Sequence, residues 1–140
     1  MNRRQFLKSA AAAGVFPLLP GCFSPRRYAA NEKVRMAFVG IGQQGWYDIC
    51  QFGKFPRLFE CVAVCDTDMG APHTLDCLKK YPEVPRFQDF RKMFDTMADK
   101  IDAVLVAVPG HSHFPIAMHA MKLGKAVYVE KPLRHNQFGL

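Results

Sequence analysis

Three glycines at the spacing G-x-G-x-x-G, Gly40, Gly42 and Gly45, stand directly after the apolar run Val34–Val39 and directly before a helix-forming segment. Each has a physical task. The first lets the chain turn sharply out of a strand, the second lets the backbone approach a phosphate closely, and the third lets the helix pack tightly on the sheet. The exposed N–H groups and the positive end of the helix then face an anion. A second apolar run, Phe59–Cys65, ends in Asp66. An acid about 20 residues past the glycines, at a strand tip, can accept hydrogen bonds from a ribose 2′-hydroxyl. A glycine-rich turn without a ligand would explain the glycines but not the acid. Strand, glycines, helix, strand and acid in that order read as a dinucleotide site.

Two further stretches fall at the carboxyl ends of strands, where chemistry is expected in a parallel sheet. Val108-Pro109-Gly110-His111-Ser112-His113 leaves the fourth main strand, and Glu130-Lys131-Pro132 leaves the fifth. The nicotinamide end of a dinucleotide should arrive at this edge. A lysine there can steady an oxyanion or help move the proton that accompanies hydride transfer. The bland readings are a solvated edge for Glu130 and Lys131 and a polar loop for the histidines. Cys22, Cys50, Cys61, Cys65 and Cys77 form no metal pattern, and no metal site is expected. Cys61 and Cys65, four apart in a predicted strand, share a face and read as small buried apolar residues.

The elements that must position these residues follow in order. Gln43–Phe52 is predicted to form the first helix, with its N-terminus at the glycine turn, and Lys54–Leu58 a loop containing Pro56. Ala71–Lys80 reads as a second helix, stopped by Tyr81-Pro82, and residues 84–87 as a short third strand at most. Asp89 reads as the N-cap of an amphipathic helix whose Phe90, Met93, Phe94 and Met97 recur at helical spacing and belong to a core. Ala103–Val108 is a β-branched run suited to a buried parallel strand. Phe114–Leu123 is a helix ended by Gly124, and Ala126–Val129 a last strand. Strands alternating with helices predict an α/β fold, a Rossmann-type doubly wound parallel sheet.

The net charge of +7 raises the question of nucleic acid. Residues 1–30, however, hold five basic residues (Arg3, Arg4, Lys8, Arg26, Arg27) and no acids. The rest carries 14 basic residues against 12 acidic ones, so the excess sits in a leader and no nucleic-acid partner is expected. Arg3-Arg4-Gln5-Phe6-Leu7-Lys8 is a twin-arginine pattern, followed by the apolar stretch Ser9–Leu19, too short to span a bilayer. It predicts export in a folded state to the periplasm through the twin-arginine machinery. Leu19-Pro20-Gly21-Cys22 resembles a lipoprotein cleavage box, which would put a lipid on Cys22 and make it the only membrane contact. Cleavage elsewhere before Asn31 is the other reading. The expected division is a signal and linker over 1–30, a dinucleotide-binding domain over 31–133 and a tail over 134–140.

From Val34 to Leu133 the chain resembles the N-terminal domain of the glucose–fructose oxidoreductase / inositol dehydrogenase / rhizopine-catabolism (Gfo/Idh/MocA) family. VGIGQQG, VCD and IDAVLVAVPGHSHFPIAMHAMKLGKAVYVEKPL carry the resemblance, above all E-K-P after a strand, preceded by a P-x-H-x-H loop and a helix. The resemblance implies NAD or NADP chemistry on a sugar, polyol or related hydroxy compound. It implies that Gly40, Gly42 and Gly45 hold the pyrophosphate, with backbone contacts from Ile41, Gln43 and Gln44. Asp66 would take the adenosine ribose and repel a 2′-phosphate, so NAD is preferred to NADP. Ala107, Val108 and Pro109 would line the cofactor, and His113 matches the histidine that closes that loop. Glu130 would touch the nicotinamide ribose, and Lys131 would serve at the catalytic centre.

Gly110 and Ala126 depart from the family pattern, where Asp or Asn and a histidine are common. The tail Arg134–Leu140 does not continue as the helix expected after E-K-P-L. The family's second, α+β domain, which binds substrate, does not follow within 140 residues. Three readings stand: the cofactor half of an exported NAD-dependent oxidoreductase, a non-catalytic dinucleotide-binding fragment, and an NAD-dependent glycosidase of the same family.

Overall fold

The structure is a computed structural model and describes residues 32–133. The expectations for the leader, Cys22 and the tail 134–140 lie outside the described residues. The first apolar run forms β1 (Val34–Val39), and the segment after the glycines forms α1 (Gln43–Phe52). β2 (Phe59–Cys65) follows, then a 3-10 turn (Pro72–Thr74), α2 (Leu75–Lys80) and the two-residue β3 (Arg86–Phe87). Next come α3 (Phe90–Met97), a 3-10 turn (Ala98–Lys100), β4 (Ala103–Val106), α4 (Gly110–Lys122) and β5 (Ala126–Val129).

The five strands are all parallel, in the order β3-β2-β1-β4-β5. The chain runs outward from β1 on one side and, after β3, resumes beside β1 with β4. The direction of winding therefore reverses between β1 and β4, and a crevice opens at their carboxyl ends. Helices cover both faces. On one face Phe94, Met93, Ile101, Val104, Val106 and Ile116 form a buried apolar core; on the other, Met36, Phe38, Ile49, Val64, Leu105 and Cys77 do the same. The helical spacing of Met93, Phe94 and Met97 places all three in the first core, and Asp89 caps α3 by accepting from the Arg91 N–H at 2.9 Å.

Four expectations are corrected. The register of β1 on β2 slips between Met36 and Ala37, which pair with Cys61 and Ala63. This bulge at Val62 breaks the two-residue alternation, so Cys61 joins one core and Cys65 the other. The two cysteines do not share a face. The segment expected as one helix over 71–80 divides into the 3-10 turn and α2, because Pro72 opens the turn at a first helical position. β4 ends at Val106 rather than Val108. α4 begins at Gly110 rather than Phe114, since Pro109, extended at ψ 139°, already starts the helix and its carbonyl accepts from Ser112 N–H at 2.8 Å. Tyr47, Phe55, Leu58 and Tyr128 remain largely exposed, Tyr128 on the edge strand β5. No helix among the described residues is long and apolar enough to cross a membrane.

Candidate functional site

The glycine turn is fixed from three directions. Gly40 leaves β1 at φ +82°, a conformation that side-chain-bearing residues rarely adopt. Its N–H bonds the Cys65 carbonyl at 2.8 Å, while Ala107 N–H bonds the Val39 carbonyl at 2.8 Å, so the turn is laced to β2 and β4. A Cβ on Gly40 would strike the Ala107 carbonyl, and a Cβ on Gly45 would strike the Gly40 carbonyl. First and third glycines are therefore needed for close approach of backbone to backbone. Gly42 differs. Its φ is −97°, open to any residue, and the group a Cβ would strike is the imidazole of His73. No side chain caps α1 at Gly42, which leaves the first N–H groups of the helix facing the crevice.

Asp66 extends this arrangement from the tip of β2. Its N–H bonds the Phe87 carbonyl at 3.0 Å, which fixes its backbone. One carboxylate oxygen accepts from Ile41 N–H at 3.0 Å and the other from Asp68 N–H at 3.1 Å. The acid thus holds the glycine turn and the loop after β2 together, and each oxygen keeps a lone pair for a further donor. Asp68 continues the loop by accepting from Gly70 N–H at 3.1 Å.

Between these parts lies a cleft of about 500 Å³. Of the residues singled out from sequence, Gly40, Gly42, Gln43, Gln44, Asp66, Ala107, Val108 and Pro109 line it. Ile41 does not. It is fully buried, and its N–H is engaged by Asp66. Gly45 lies beneath the turn, buried in α1. Thr67, Asp68, His73, Gln88 and Phe90 also line the cleft, and sequence reasoning missed them. Thr67, Asp68 and Gln88 come from loops after β2 and β3, His73 from the 3-10 turn, and Phe90, read from sequence as core, from the start of α3; only Asp68, two residues past Asp66, carried a local signal.

His113, Glu130 and Lys131 are placed apart from the cleft wall. His113, in the first turn of α4, is 2% exposed, and its Nδ1 lies 2.7 Å from the Pro132 carbonyl oxygen. A carbonyl only accepts, so Nδ1 carries the hydrogen and donates it, and Nε2 is left buried without a partner. His113 therefore pins the turn that carries Lys131. Glu130 N–H bonds the Val106 carbonyl at 2.9 Å, and Glu130 accepts from the Tyr128 hydroxyl at 3.3 Å. It faces Asp48 of α1. Burial pushes the Asp48 carboxyl up, the charge of Glu130 adds to this, and a hydrogen bond from Gln44 partly offsets it.

A turn of bare backbone against which a diphosphate can lie, a helix N-terminus without a cap and an acid with spare lone pairs together fit a dinucleotide. Comparisons with known proteins agree. Residues 34–137 match the Gfo/Idh/MocA oxidoreductase family, NAD-binding Rossmann fold, and residues 1–20 match the twin-arginine translocation pathway signal sequence. A glycosyl hydrolase family 109 protein of Shewanella pealeana is 30% identical over 158 residues, covering 95% of this chain and 34% of that protein. The chain thus spans about a third of that relative's length. Among solved structures, a dehydrogenase from Chromobacterium violaceum is 26% identical with a TM-score of 0.64, covering 74% of this chain and 29% of that one. The WlbA dehydrogenase from Bordetella pertussis, in complex with NADH and UDP-GlcNAcA, is 25% identical with a TM-score of 0.62 and covers 74% of this chain and 30% of that one. With its parallel sheet, glycine turn and strand-tip acid, the chain belongs to the Gfo/Idh/MocA oxidoreductase family.

Proposed function

We propose that residues 32–133 are the NAD-binding part of an exported enzyme that transfers a hydride to or from a sugar, polyol or related hydroxy compound. The observation that carries this reading is the convergence of the Gly40–Gly45 turn and the Asp66 carboxylate at the crevice between β1 and β4. When bound, NAD supplies the hydride-accepting ring. The chain supplies the cofactor's surroundings. Gly42 and the open N-terminus of α1 face the diphosphate. Asp66 accepts from a ribose hydroxyl, and its negative charge disfavours a 2′-phosphate, so NAD is preferred to NADP. Ala107, Val108 and Pro109 form an apolar wall that excludes water from the cofactor. Glu130 touches the nicotinamide ribose. Lys131, held by the turn that His113 pins, takes or gives at Nζ the proton that accompanies hydride transfer.

A second reading is favoured by the glycosyl hydrolase name of the Shewanella relative. In a glycosidase of this type the hydride is removed and returned within one turnover. The same cofactor residues serve, and no reduced cofactor accumulates.

The test is thermal unfolding of the 140-residue chain with NAD and, separately, NADP. A ligand that binds only the folded state adds about 2.7 kcal/mol of stability at 100 times its dissociation constant. We expect the transition to climb with NAD and much less with NADP. A transition indifferent to both would end the dinucleotide reading, and an equal rise with both would end the role given to Asp66.

A further inference from the structure

The residue that meets Gly42 across the cleft has no role in the reading above. His73 sits in the 3-10 turn ahead of α2, and its ring lies across the second glycine: a Cβ built on Gly42 would overlap Cδ2 and fall 3.2 Å from Nε2. Its backbone is anchored. Pro72 precedes it, and the next residue, Thr74, is fully buried with its hydroxyl donating to the Ala71 carbonyl at 2.8 Å. His73 as a residue is solvent-exposed, which leaves its imidazole free to turn about its side-chain bonds.

Charge gives this placement its meaning. Among the described residues, two carboxylates, Asp66 and Asp68, line the cleft, and no lysine or arginine does. Among the described residues of that lining, His73 is the one whose side chain can carry a positive charge. A diphosphate brings two negative charges to this wall, and the α1 N-terminus offers only partial positive charge against them.

We propose that His73 is a diphosphate ligand of this cleft: its ring swings off Gly42 and donates an N–H to a phosphate oxygen beside the α1 N-terminus. The inference rests on the dinucleotide reading and adds a side-chain contact to it. The ligand class is a nucleoside diphosphate, of which a dinucleotide is one form. Adenosine, which lacks the phosphates, does not engage His73.

The test is calorimetric titration of the full chain and its His73→Ala and His73→Gln variants with NAD, ADP and adenosine, the folding of each variant being checked by its unfolding transition. His73→Ala should weaken NAD and ADP by about tenfold, equivalent to about 1.4 kcal/mol, and leave adenosine unchanged. His73→Gln, which keeps an N–H donor, should recover part of the loss. Unchanged or tighter binding of NAD and ADP by His73→Ala would overturn the proposal, because the ring would then merely cover Gly42. An equal loss for adenosine would also overturn it, by showing a general disturbance of the loop. A parent chain that binds neither NAD nor ADP would instead fail at the dinucleotide reading, and this inference would fall with it.

Discussion

Gly42 and Gly45 belong to one motif and are held by different neighbours, so their substitution should separate folding from binding. A Cβ on Gly45 meets the Gly40 carbonyl, a backbone group fixed by the Gly40–Cys65 hydrogen bond and unable to yield. Gly45→Ala should therefore cost about 1–3 kcal/mol of stability, as overpacking does elsewhere. The three atoms nearest a Cβ on Gly42 all belong to the ring of the exposed His73, which can rotate away. Gly42→Ala should melt near the parent temperature and yet lose the rise produced by NAD, because its methyl group stands where the diphosphate must lie. Thermal unfolding of both variants with and without NAD checks this. Equal destabilisation by the two would show that Gly42 is retained for the fold alone. At this scale the glycines and Asp66 were legible because their spacing is local. His73 was not: only the tertiary turn at Pro72 brings it to Gly42, and no spacing rule links positions 31 residues apart.

Elements were legible where a short apolar run met a punctuating residue, and less so where two signals competed. α1, β2 and β5 have the bounds that their apolar runs and glycines implied. β4 looked longer because Ala107, Val108 and Pro109 continue its apolar character, although the chain has already left the sheet to line the cleft. The bulge in β2 left no mark in the sequence, because Cys61, Val62 and Ala63 are all small enough for either face. What joins the elements at the opposite end of the sheet was invisible for the same reason as His73. Arg35, at the start of β1, donates through Nε and Nη2 to the two carboxylate oxygens of Asp102 at 2.9 and 2.8 Å, and its Nη2 also donates to the Asp99 carbonyl at 2.9 Å. The Asp102 side chain is 6% exposed and that of Arg35 21% exposed, so this forked pair is largely shielded from screening. Asp102→Ala should lower stability by about 2 kcal/mol, with Arg35→Lys losing a smaller share because an ammonium cannot fork. Urea midpoints of the two variants measure this, and unchanged midpoints would mean that water replaces the pair without cost.

At the scale of the whole molecule, an exported chain with unpaired cysteines is unusual, since thiols in oxidising compartments tend to be bridged. Among the described residues Cys50, Cys61, Cys65 and Cys77 are free. The two cores supply a physical account for three of them. Burial, the largest cause in each case, pushes the Cys61, Cys65 and Cys77 thiols from 9.0 up to about 12, with neighbouring thiols and carboxylates adding to it. The thiolate is the reactive form, so the buried Cys65 and Cys77, and to a lesser degree the half-buried Cys61, are protected by the core instead of by pairing. A twin-arginine signal, which serves proteins exported after folding, suits such a device, because the core is closed before the chain meets an oxidant. The same burial dictates the response to alkali. In the unfolded chain these thiols lose protons from about pH 9, whereas the folded chain keeps them until about pH 12. Across that window the unfolded state binds fewer protons, and stability must fall as pH rises. Tyr81, moved by burial from 10.0 to about 12, steepens the upper part of the fall. Urea midpoints taken from neutral pH upward should hold level to about pH 9 and then decline, and Cys77→Ala should show a shallower decline than its parent. A profile flat through this range, or rapid modification of Cys65 and Cys77 by a thiol reagent in the native state, would show that the cores open often enough to leave these thiols unprotected.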